Sequence, residues 1–134
     1  MDVRLVRSEE LAPTAPYAYA AVVGGTVFTA GACPLDAGGE VVAIGDVAGQ
    51  AEQVMANLVV ALRAAGASLT DVAKTTVYVA TTSRADLVTA WDVVHRWFGA
   101  HDAPSTLLGV TVLGYPDQLV EVEAVAVLPA GPPR

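Results

Sequence analysis

Leu119-Val120-Glu121-Val122-Glu123-Ala124-Val125-Ala126-Val127-Leu128 is the stretch that decides the fold. Eight of its ten residues are apolar, and valine is the commonest. That composition suits a strand buried on both faces better than an amphipathic surface strand. Strand side chains alternate with period two, so Leu119, Glu121, Glu123, Val125 and Val127 share one face. Val120, Val122, Ala124 and Ala126 share the other. Two like charges thus stand together in a segment that otherwise reads as core. Desolvating a carboxylate is costly, so the pair needs a cation, a cleft or a sheet edge. Lys74, itself in a predicted strand, is the obvious cation for one of them, and Glu123 reads as the structural member of the pair.

Composition bounds what the strand belongs to. The chain has 134 residues, which fits one domain with a real core. We expect that domain to span 1–128, followed by a flexible tail over 129–134 rich in proline. Hydrophobic residues make up 54% of the chain, above the usual share for a soluble domain. No apolar run reaches the length of a membrane span, so the excess suggests surface buried between subunits. Net charge is −7 and the seven Lys and Arg are scattered, which argues against nucleic acid, whose phosphates need a basic stripe. The start of the chain has no apolar signal segment, and the single Cys makes no internal disulfide. A cytoplasmic location is expected.

Working outward, residues 3–6 predict a short strand. Ala18 to Val23 and Thr26 to Ala30 flank Gly24-Gly25, a two-residue hairpin signal. Asp36 to Gly39 is a turn, and Val41 to Ile44 is expected to add a brief strand. Asp46 reads as the N-cap of a helix over 47–65, whose apolar stripe is Val47, Ala51, Val54, Met55, Leu58, Leu62 and Ala65. Gln50, Gln53, Asn57 and Arg63 fall on its other face. Gly66 fits the left-handed position after the helix. Residues 72–80 are β-branched and aromatic, hence a strand. Ser83-Arg84-Ala85-Asp86 resembles a capping box for a second helix to Phe98, on which Asp92 and Arg96 form an i, i+4 pair. Ser105 to Val112 predicts another strand. The order β-β-β-α-β-α-β-β implies an α+β fold, one sheet with two helices on one face. Its other face, still apolar, is best covered by another copy of the same sheet.

These segments resemble the RidA family, also named YjgF or endoribonuclease L-PSP, over nearly the whole chain. The matching pieces are Ala15-Pro16-Tyr17, Val27 to Gly31 with Pro34-Leu35-Asp36, the helix from Gln50 to Gly66, Asp71 to Tyr78, and Val120 to Ala126. The resemblance implies a chorismate-mutase-like fold and a homotrimer whose sheets form a central β-barrel. It implies sites in clefts between neighbouring subunits, and hydrolysis of reactive enamines and imines to ketoacids and ammonia, with no metal or cofactor. The ribonuclease label of some relatives gets little support from an acidic chain.

Carried over residue by residue, the family's site tyrosine falls on Tyr17, its site glycine on Gly31 and its acidic residue on Glu121. The serine before that glycine is replaced by Ala30. The family arginine that grips a substrate carboxylate falls on Pro104, in Ala103-Pro104-Ser105, and the asparagine of the second helix falls on Trp91. The loop around Tyr115 is about two residues longer than in the family. Proline offers no donor where a bidentate arginine would hold a carboxylate. A 2-iminocarboxylate would lack its anchor and meet Glu121 as a like charge. An uncharged or cationic small molecule suits such a cleft better. Glu121 is then the candidate general base, with Tyr17, Gly31, Ala32, Cys33, Trp91, Pro104, Ser105 and Tyr115 lining the substrate site, and backbone amides from Gly31 to Cys33 as donors.

Plainer roles stand beside these. A free cysteine such as Cys33 is more often a small buried hydrophobe than a nucleophile. Trp91 and Trp97 at helical spacing are more often packing than a ligand cage. His95 and His101 form no metal-ligand motif, so no metal is expected. Two further functional readings remain open at this level. One is a non-catalytic trimer that binds a small metabolite; the other is a biosynthetic tailoring enzyme using the same intersubunit cleft.

Overall fold

The computed structural model describes residues 1–130. Strands β1 (Val3–Val6), β2 (Ala20–Val23), β3 (Thr26–Thr29), β4 (Val72–Ala80), β5 (Ser105–Val110) and β6 (Val120–Val127) form one sheet in the order β1-β2-β3-β6-β4-β5. Helices α1 (Val47–Ala65) and α2 (Arg84–Phe98) pack on one of its faces. Neighbours are antiparallel except β4 and β5, which are parallel because α2 crosses between them. The valine-rich β6 lies at the centre, paired to β3 on one side and β4 on the other. Among the described residues, no helix is long and apolar enough to cross a membrane.

Local chemistry explains the elements. Gly24 turns the β2–β3 hairpin with a φ of 59°, which only glycine adopts without strain. Asp46 caps α1 by accepting from Gly49 N–H at 3.0 Å, and Gly66 closes the helix at φ 97°. Met55, Leu58 and Leu62 from α1 are fully buried against Val27, Val77, Val120 and Val122 of the sheet. The order of elements and the α1 boundaries agree with the sequence-based expectation.

Four local expectations are corrected. Val41 to Ile44 makes no strand; Val41 only bridges Leu35. Ser83 sits at the N-cap of α2 without a side-chain bond, and Asp86 instead accepts from Thr81 Oγ1 at 2.6 Å. Arg96 turns away from Asp92 to pair with Glu52 of α1, which also accepts from Trp97 Nε1 at 2.8 Å. These bonds tie the two helices together. The fifth strand stops at Val110, leaving Val112 exposed. Leu128 to Ala130 carry no helix or strand, and the rest of the expected tail, 131–134, lies outside the described residues.

The two faces of β6 differ as its alternation requires. Val120, Val122, Ala124 and Ala126 are buried beneath the helices. Glu121, Glu123 and Val125 are half-buried on the helix-free face. That face also carries Leu5 at 68% exposure, Phe28 at 48% and Val127 at 52%.

Candidate active site

The β3–β6 ladder is where the site begins. Phe28 lies opposite Val125, and Ala32 bridges Val122, so residues 29–31 face only Glu123 and Ala124. This is a one-residue bulge, the device that re-aims side chains beside a sheet. Thr29 stabilises it by lending Oγ1 to Ala124 N–H at 2.9 Å in place of a backbone carbonyl. The bulge brings Gly31 against the Glu121 side chain. A Cβ on Gly31 would stand 2.4 Å from Glu121 Oε2 and 2.5 Å from its carboxyl carbon. No residue larger than glycine fits there without moving the carboxylate.

Two donors meet the other oxygen. Gln118 Nε2 reaches Glu121 Oε1 at 3.2 Å, and Cys33 Sγ reaches it at 3.3 Å. The Cys33 thiol is pushed up to about 12, first by burial, then by the Glu121 charge and their hydrogen bond. It therefore stays protonated at neutral pH and acts as a donor. Beside it Tyr17 and Tyr115 bring their hydroxyls to 3.3 Å. Tyr17 is also held well above the usual phenol range, mainly by burial and then by that hydrogen bond. Tyr17, Tyr19, Gly31, Ala32, Cys33 and Leu35 line a narrow pocket floored by Asn57 and Ala61 of α1.

The polar residues of α1 hold this assembly in place. Asn57 Nδ2 donates to Cys33 O at 2.8 Å and Leu35 O at 2.9 Å, fixing the 33–35 segment. Gln50 is fully buried rather than on a solvated helix face. It donates to Asp117 O at 2.9 Å and accepts from Leu119 N–H at 2.7 Å, so it pins the loop before β6. Gln118, also buried, accepts from Tyr115 N–H at 3.1 Å. Sequence reasoning missed Gln50, Asn57 and Gln118 as parts of the site. The signal for Gln118 was its place three residues before Glu121, in a loop that must fold back.

Comparison with known proteins shows the family. The sequence profile of the endoribonuclease L-PSP family matches residues 7–128. The chain belongs to this family, which is the RidA or YjgF family. A RutC family protein of Pyrococcus abyssi is 36% identical over 85% of this chain and 87% of its own length. The 2-iminobutanoate/2-iminopropanoate deaminase of Bos taurus is 33% identical over 93% of this chain and 90% of that protein. The crystal structure of E. coli TdcF with bound serine superposes with a TM-score of 0.79 at 30% identity, covering 92% of this chain and 98% of that one. The RidA fold, α+β with one mixed sheet and two helices, is thus shared.

Within this RidA chain the nine candidate residues fall into two groups. Tyr17, Gly31, Ala32, Cys33, Tyr115 and Glu121 come together at the bulge. Trp91, Pro104 and Ser105 do not join them. Pro104 O accepts from Thr75 N–H at 3.0 Å, and Ser105 Oγ accepts from Thr75 Oγ1 at 2.7 Å on the helix-covered face. Trp91 stacks on His95 at 5.7 Å, beside a second pocket with Thr75, Phe98, His101 and Ala103. Ala32 cannot donate to a ligand, because its N–H is taken by Val122 O at 2.7 Å. The Gly31 and Cys33 amides have no backbone partner of this kind among the described residues. The expected ion pair between Lys74 and one of the two glutamates is also replaced among the described residues. Lys74 Nζ donates to Thr106 Oγ1 at 2.6 Å, and Glu123 accepts from Tyr78 OH at 2.6 Å.

Proposed function

We propose that this RidA-family chain hydrolyses the C=N bond of small reactive imines or enamines, with Glu121 as general base, and prefers uncharged or cationic substrates. What carries this reading is Glu121 itself. Its Oε1 is bound by Gln118 and Cys33, while Oε2 accepts no hydrogen bond among the described residues and lies over the backbone of Gly31. A carboxylate presented in this way suits taking a proton from water. The water oxygen then bonds to the imine carbon, and the proton passes to nitrogen. Collapse of the carbinolamine passes its hydroxyl proton to nitrogen, by way of Glu121, as the C–N bond breaks, so imine and water leave as carbonyl compound and ammonia. Gly31 and Cys33 N–H groups are suited to hold a polar atom of the substrate.

Two further features support a substrate that differs from a 2-iminocarboxylate. By the family resemblance, Pro104 falls on the position of the carboxylate-binding arginine, and its side chain has no donor. The carboxylate of Glu121 would repel a second one. In the proposed homotrimer, a neighbour's Trp91, Pro104 and Ser105 complete the cleft that Glu121 opens into. Burial of the exposed Leu5, Phe28 and Val127 favours that assembly.

Ammonia release from a 2-iminocarboxylate and from an uncharged ketimine of similar size, each generated in place, tests the proposal. Wild type is expected to favour the uncharged imine, and Pro104→Arg to shift preference toward the acid. Glu121→Gln is expected to lower kcat by about a hundredfold or more. Wild-type preference for the iminocarboxylate would overturn the substrate reading, and an unchanged kcat for Glu121→Gln would overturn the base. Thermal stabilisation by an imine analogue with no ammonia release would identify a binding protein instead.

A further inference from the structure

We propose that Gln118 and Cys33 are positioning residues that jointly tether Oε1 of Glu121, leaving Oε2 as the one oxygen aimed at substrate. The catalytic half of this inference rests on the base role of Glu121 proposed above; the tether itself does not.

The Gln118 amide has no freedom to turn. Its Oε1 accepts from Tyr115 N–H at 3.1 Å, and its Nε2 donates both to Val120 O at 3.1 Å and to Glu121 Oε1 at 3.2 Å. Reversing the amide would set its oxygen against two acceptors and its nitrogen against a donor. At 4% exposure it has no water to fall back on. Gln50 secures the backbone on either side of it through Asp117 O and Leu119 N–H. The tether therefore runs from α1 through the loop to the carboxylate.

Cys33 approaches the same oxygen from the segment that follows β3. Its sulfur lies 3.3 Å from Glu121 Oε1 and 3.4 Å from Gly31 O, and Asn57 fixes its carbonyl. Burial and the adjacent negative charge keep the proton on sulfur. A thiol so placed is a poor nucleophile and a constant donor. Two donors on one oxygen hold the carboxylate plane, and the missing side chain at Gly31 leaves room for the other oxygen.

Two measurements test this. In the imine assay, Cys33→Ala and Gln118→Leu are each expected to lower kcat about tenfold with KM little changed, whereas Cys33→Ser, which keeps a donor, stays within about twofold of wild type. Gln118→Met serves if Gln118→Leu fails to fold. Independently of turnover, thiolate ultraviolet absorbance should titrate Cys33 at a lower pH in Glu121→Gln than in wild type. Full kcat in Cys33→Ala and both Gln118 variants, with Glu121→Gln inactive, would overturn the tether and leave the base standing. Full kcat in Glu121→Gln would remove the base, and the thiol titration then decides the tether. An unchanged midpoint would overturn it, and a lowered one would support it.

Discussion

The two faces of β6 are held by different means. On the helix side of β6, Val120, Val122, Ala124 and Ala126 lie within the apolar core and are fixed by packing. On the opposite side, Glu121 and Glu123 each bind neutral donors: Gln118 and Cys33 for the first, Tyr78 for the second. The alternation of a strand separates the two roles with no change in backbone. Residues one position apart answer to different constraints, so their substitutions should fail in different ways.

The sharpest break of that contrast is Val122→Asp. It places an unpaired charge at a site with 0% exposure and is expected to destabilise the fold by at least about 4 kcal/mol, read by urea unfolding. Glu121→Gln, one residue away, should keep its midpoint close to wild type. A similar loss in both would mean that Glu121 also belongs to the core.

Gly31→Ala sharpens the site side. The new Cβ would overlap Glu121 Oε2, so the carboxylate must rotate off its two donors. We expect about tenfold or greater loss of kcat with at most about 3 kcal/mol of stability lost. Normal activity would show that the carboxylate geometry is not what the reaction uses.

The smallest effect is a pH dependence. The Cys33 thiol ionises near its ordinary value of 9.0 in the unfolded chain but only near 12 in the fold. Above pH 9 the unfolded state therefore holds fewer protons, and stability falls as pH rises, by no more than about 1.4 kcal/mol per pH unit. Full stability from this group is present below pH 9 and declines toward pH 12. Tyr17 and Tyr19, raised from 10.0, add a fall of the same sign at higher pH. Denaturation of wild type and Cys33→Ser at pH values just above 9 isolates the thiol. Equal slopes would remove Cys33 from the account.

How much of this was legible before any coordinates follows the range of the interactions. Asp46, Gly66 and Gly24-Gly25 act on residues two to four away, and their capping and turning roles were readable. The alternation in β6 was readable for the same reason. Ser83, Asp92 and Lys74 each had a plausible partner, yet the fold offered other ones: a nearby hydroxyl, Thr81, for Asp86, and the more distant Glu52 for Arg96 and Thr106 for Lys74. Gln50 looked like a solvated helix residue because nothing local shows that a loop 67 positions later would cover it. The RidA resemblance named Glu121, Gly31 and Tyr17 but not Gln118, whose contacts depend on how the loop before β6 closes.

Between Phe28 and Ala32 the chain holds a single surplus residue relative to its partner strand. Deleting any one of the three would barely alter composition, yet a regular ladder could then run straight through. The gap that admits an acid side chain would heal shut. The proposed site in this scaffold thus depends on a counting mismatch, a quantity that a substitution scan would never sample and that only a length variant can probe.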